Sequence, residues 1–92
     1  MNRESAEIIA IQGLAFLAAD DDLMGAFLDL SGLDPAGLRA RLSEPAFLVA
    51  VLDFILAEDA RVLTFCEAAE LKPNMPGEAR RAIPGGEDIE WT

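Results

Sequence analysis

Histidine and tyrosine are absent from the chain, and cysteine occurs once, at Cys66. Histidine is the commonest general base and the commonest nitrogen ligand for metals, so its absence removes both roles. Ser–His and Cys–His nucleophile systems cannot be assembled within one chain. A lone cysteine closes no internal disulfide, and nothing points to an oxidising compartment. Positive charge is scarce as well: seven Lys and Arg stand against seventeen Asp and Glu, a net charge of −10. Nucleic acids and anionic membranes are held through Lys and Arg, and this balance opposes both as partners. Long hydrophobic runs are also missing. The two longest apolar stretches, Ile8–Ala19 and Ala46–Ala57, hold twelve residues each, whereas a membrane-spanning helix needs about twenty. The opening Met1-Asn2-Arg3-Glu4 carries no cationic leader, so a cytoplasmic location is the default expectation.

What remains is rich in core-forming residues. Of 92 residues, 52% are hydrophobic, enough for one small domain and too many for a disordered chain. Alternating patterns are absent, threonine occurs twice, and helix formers dominate. The expectation is an all-α fold, a compact bundle of five to six short helices.

Punctuation sets the boundaries. The first helix runs from about Glu4 to Ala18, with Asn2 or Ser5 as its cap. Asp20-Asp21-Asp22 breaks it and starts a second, about Asp22–Leu30, which stops at Gly32. Asp34-Pro35 is a cap followed by proline at the first helical position, where the missing N–H costs nothing. That third helix covers about Pro35–Leu42. Ser43-Glu44-Pro45 repeats the device for a fourth, about Pro45–Ala57, and Glu58-Asp59 leads into a fifth, about Asp59–Glu70. A short sixth begins around Pro73 and Pro76 and ends before Pro84-Gly85-Gly86.

A shift of 38 residues aligns Leu14–Pro35 with Leu52–Pro73 without a gap, and seven of the 22 pairs are identical. They include Phe16/Phe54, Phe27/Phe65 and the turn pairs Asp21/Asp59 and Pro35/Pro73. An insertion near Asn74–Gly77 then interrupts the register. The pattern predicts two pseudo-symmetric three-helix units, about residues 5–42 and 45–83, within a single domain of residues 1–84. Two repeats cannot form an open solenoid, so the halves are expected to close about a pseudo-twofold axis. Their contact should be the first and fourth helices, because each is apolar nearly all round.

Residues 85–92 read as a flexible acidic tail carrying the sole tryptophan. Trp91, with Ile89, is the candidate partner-binding element, since tryptophan is enriched at binding hot spots; folding back onto the domain and remaining unbound are the other readings.

Other candidate chemistry is thin. Cys66 lies mid-helix among acidic neighbours that disfavour a thiolate, so it reads as a core residue. The acidic turns Asp20–Asp22 and Glu58–Asp59 could approach a divalent cation through oxygen, but capping explains them with less. Asp53 is a carboxylate in an apolar helix. It must reach solvent, accept a backbone N–H or pair with an arginine such as Arg61 or Arg39. Arg39, Arg41, Arg80 and Arg81 give the third helix of each half a basic face. That face is read as solvated rather than as a patch for an acidic partner or for DNA. No catalytic residue, cofactor or metal is expected.

The order of motifs is itself informative. Ala10-Ile11-Gln12-Gly13-Leu14-Ala15-Phe16-Leu17-Ala18 comes first. It is followed by Gly32-Leu33-Asp34-Pro35, Pro45-Ala46-Phe47-Leu48, Val51-Leu52-Asp53-Phe54 and a closing Pro84-Gly85-Gly86. Over about Glu7–Gly86 the chain resembles the domain-of-unknown-function family numbered 3572, small proteins of alphaproteobacteria. The resemblance implies a bacterial cytoplasmic protein and brings no activity. Asn74–Gly77 is irregular for the pattern, which implies a displaced sixth helix. The functional expectation is a non-enzymatic protein–protein interaction module with an unidentified protein partner, a homodimer being one outlet for its apolar surface. A binder of a small apolar ligand between helix layers is the alternative.

Overall fold

A computed structural model of the chain describes residues 1–84. Six helices follow one another: α1 (Arg3–Ala18), α2 (Asp21–Ser31), α3 (Pro35–Arg41), α4 (Pro45–Leu56), α5 (Asp59–Ala69) and α6 (Met75–Ala82). No strand occurs among the described residues, and the fold is the expected all-α bundle.

Short polar side chains start the helices of the first unit. Asn2 accepts the Ser5 N–H at 2.8 Å. Asp20 accepts the N–H groups of Asp22 and Leu23 at 3.0 and 3.2 Å, and Asp34 accepts that of Gly37 at 2.7 Å. Each satisfies donors that a helix start leaves open. The second unit is capped less well: Glu44, Glu58 and Asn74 make no such bond. Proline in the first turn of α4 and α6 removes a donor there instead.

The duplicated register is visible in the helix bounds. α2 and α5 differ by 38 residues at both ends, and both end on a left-handed residue, Gly32 at φ 74° and Glu70 at φ 58°. Glycine adopts this conformation freely, while a residue with a Cβ is strained by roughly 1–2 kcal/mol. The two sites therefore predict opposite responses. Gly32→Ala should lower stability by about 1 kcal/mol, and Glu70→Gly should raise it by about 0.5–1 kcal/mol. Denaturant melts of the pair check this; equal signs would contradict the cap equivalence.

Aromatic contacts show how the units close. Phe16 of the first unit meets Phe65 of the second at 5.4 Å between ring centroids, and Phe54 of the second meets Phe27 of the first at 5.6 Å. The shift of 38 converts one pair into the other, as a pseudo-twofold relation between the halves requires. α1 and α4 pack together on this axis. Gly13 allows the approach, since a Cβ there would lie 2.9 Å from Ile55 Cδ1 and 3.4 Å from Val51 Cγ1.

The central pair departs from expectation in one respect. α4 buries Phe47, Leu48, Val49, Val51, Leu52, Phe54 and Ile55, as expected of a core helix. Yet one edge of it, Ala46, Asp53 and Ala57, reaches solvent. α1 buries only Ala6, Ile9, Ala10, Gly13 and Leu17, and leaves Ile8 and Ile11 56% and 55% exposed. The four other helices do not wrap both members of the pair completely, and among the described residues α1 keeps an open outer face.

The third helices depart from the symmetry. α3 buries nothing, whereas α6 packs on both α1 and α4 and buries Pro76 and Ala79, with Ile83 following. Asn74–Gly77, read as irregular in sequence, is Asn74 at the end of a turn followed by the first three residues of α6.

Candidate functional site: a groove built twice

Two surface recesses share one plan. The first, about 450 Å³ and open to solvent, lies where α2, α4 and α5 meet. Phe27 and Leu30 come from α2, Ala50 and Phe54 from α4, Ala57 from the residue that follows α4, and Arg61 from α5. The second, about 360 Å³, lies between α1 and α5 and is lined by Gln12, Ala15, Phe16, Ala19, Phe65, Ala68 and Ala69. Adding or subtracting 38 carries every lining residue of the second groove onto one of the first. Gln12 becomes Ala50, Ala15 becomes Asp53, Ala68 becomes Leu30 and Ala69 becomes Ser31. One groove plan thus recurs at the 38-residue spacing, and the differences between corresponding residues give each groove a different character.

Charge distinguishes the first. The Arg61 guanidinium lies 3.9 Å over the Phe54 ring, donates to the Phe54 carbonyl oxygen at 2.8 Å and pairs with Glu58 at 3.3 Å. The carbonyl belongs to the last turn of α4, where oxygens lack helical partners and a cation is favourable. Arg61 therefore fixes one wall of the groove while its planar face covers an aromatic. Leu30 stands at the rim with 77% of its surface in water.

Asp53 reaches solvent and pairs with an arginine, but with neither Arg61 nor Arg39. Its carboxylate takes the guanidinium of Arg80 on α6, with a second contact from Nη2 at 3.5 Å. The displacement of α6 brings Arg80 within reach, and no sequence spacing shows it. Arg80 is thereby removed from the solvated face assigned to the third helices. Arg41 pairs with Glu44 at 3.5 Å. Cys66 is buried, its thiol facing the Lys72 carbonyl at 3.5 Å, and burial pushes the thiol pKa up. It is a core residue. Asp20 acts as a cap, and Glu58 partners Arg61 rather than capping α5. Among the described residues no three Asp, Glu or Cys converge as a metal site would require. No described helix is long and apolar enough to cross a membrane. Ile89 and Trp91, the expected contact residues, lie outside the described residues.

The grooves themselves were missed from sequence. The signal was present, because the repeat alignment already paired Phe16 with Phe54 and Phe27 with Phe65. It lacked the knowledge that these pairs cross between units.

Fold and site together define a small all-α module that carries two apolar grooves of matching plan among its described residues. The chain belongs to the family described as Protein of unknown function (DUF3572), whose model matches residues 3–86. No curated protein and no solved structure matches it.

Proposed function

We propose that the chain is a non-enzymatic protein-interaction module and that its first groove receives an amphipathic helix from a protein partner. The observation that carries this reading is Leu30, a large apolar side chain left in water at the rim of an aromatic trough. Soluble domains seldom leave such a combination uncovered, and helix-in-groove docking uses apolar anchors in a trough of this kind. The net charge of −10 steers cationic surfaces inward, so the partner helix should be flanked by Lys or Arg. In this reading residues 1–84 are the single domain and residues 85–92 an acidic tail, with Ile89 and Trp91 as a second contact.

A small apolar ligand is the alternative. The groove volume of about 450 Å³ falls within the range usual for ligand sites, although its open side suits a macromolecule better.

Affinity capture with wild type, Leu30→Glu, Ile8→Glu and a version ending at Gly86 separates these readings. A partner held by wild type and by Ile8→Glu but lost on Leu30→Glu supports the groove, and further loss on truncation assigns the tail its contact. Equal capture by wild type and Leu30→Glu contradicts the groove assignment. A co-purifying small molecule seen by native mass spectrometry, and absent from Leu30→Glu, would install the alternative.

A further inference from the structure

Among the described residues no element covers the outer face of α1, and that face is self-complementary in its pattern of large and small side chains. Ile8 and Ile11 are more than half exposed, while the other described isoleucines, Ile9, Ile55 and Ile83, are buried. Ile8, Ile11, Ala15 and Ala18 follow spacings of three, four and three, the seam of a two-stranded coiled coil. No charged side chain interrupts Ile8–Ala19. Large residues occupy the N-terminal half of this seam and alanines the C-terminal half. The second groove opens beside the alanines, with Ala15, Ala19 and Ala68 among its lining.

We propose that α1 forms a symmetric homodimer by pairing antiparallel with α1 of a second copy, each copy seating Ile8 and Ile11 against the other's alanines and second groove. A twofold perpendicular to the helix brings Ile11 over Ala15 and Ile8 over Ala18 of the second copy, and does so twice. Such an isologous contact uses one patch on both copies and closes without leaving a growing end. Alanine at one member of each layer lets the helices approach closely.

Charge selects both the face and the direction. Each copy carries −10, so association is opposed by net repulsion, and least so at a stretch free of charge. Parallel pairing would set two Asp20–Asp22 clusters against each other. Antiparallel pairing keeps the clusters apart and sets each near the other copy's helix N-terminus, where the macrodipole favours negative charge and Arg3 already pairs with Glu7 of its own helix at 2.9 Å. The surface is separate from the first groove, so this proposal stands or falls independently of the partner assigned there.

Sedimentation velocity of the full chain over a concentration series tests it. Wild type should show a reversible monomer–dimer equilibrium. Ile8→Glu, Ile11→Glu and Ala15→Glu should each weaken the dimer by about a hundredfold, since each buries an unpaired carboxylate in the seam twice. All three positions are solvent-exposed in the single chain, so helix content by circular dichroism should not change. Leu30→Glu should leave the dimer intact. A wild type that stays monomeric at millimolar concentration overturns the proposal, as does a dimer indifferent to Ile8→Glu or to Ala15→Glu.

Discussion

Phe65→Ala should lower the unfolding free energy by about 3–5 kcal/mol, the usual cost of truncating a buried aromatic. Phe65 is 1% exposed, sits 5.4 Å from Phe16 and lies close to Gly13 of α1, beside the α1–α4 contact. It belongs to α5 yet fills the space where both units meet, so its loss opens a cavity that α1, α4 and α5 all line. Small domains have only about 5–15 kcal/mol in total, and the variant should melt far below wild type in thermal or urea denaturation. A shift of a few degrees would mean that the void collapses and that Phe65 is not central. Phe16→Ala should cost less, because Phe16 is only half-buried, despite being the other member of the ring pair.

Gly13→Leu should be comparably damaging, by about 3 kcal/mol, the upper end of the usual overpacking range. Even a bare Cβ at position 13 would come within 2.9 Å of Ile55 Cδ1. Ile55 is fully buried, so a larger side chain would find no void and would have to push α1 off α4. Gly13→Ala is the control. There the methyl crowds one flexible side-chain end, while the helix gains about 1 kcal/mol of propensity, and the two effects should nearly cancel. Urea melts of the three proteins decide between a tight crossing and a loose one. If leucine is tolerated as well as alanine, the close approach at Gly13 is not a packing constraint.

Much of this was legible in the sequence, and the parts that were not share a physical reason. Caps and proline starts are local chemistry, so Asp20, Asp34 and Pro45 marked their helices within a residue or so. The 38-residue spacing was legible because matched turns and cores keep it, and the left-handed residues Gly32 and Glu70 stand at that same spacing. Cys66 was readable from its neighbours alone.

Partnerships across the fold were not readable. Asp53 finds Arg80, 27 residues away in sequence, only because α6 abandons the symmetric place that α3 would define for it. Likewise, α1 and α4 look alike as strings of apolar residues, and both pack against α2, α5, α6 and each other, yet α4 buries seven of its twelve residues and α1 five of its sixteen. How much of a helix is buried is decided by the lengths and positions of the others, not by its own composition alone. The grooves fall between these cases, since the repeat paired their residues but only the crossing of Phe16 to Phe65 and Phe54 to Phe27 turned the pairs into surfaces.

Native-state hydrogen exchange, resolved by residue, probes the α1–α4 pair most directly, because protection tracks the free energy needed to open each segment. The slowest amides should be those of α4 from Leu48 to Ile55 together with those of α1 from Ile9 to Leu17, exchanging only through global unfolding. Those of α3, which buries no residue, should exchange by local opening well before them. Amides of α4 that exchange as readily as those of α3 would contradict the account.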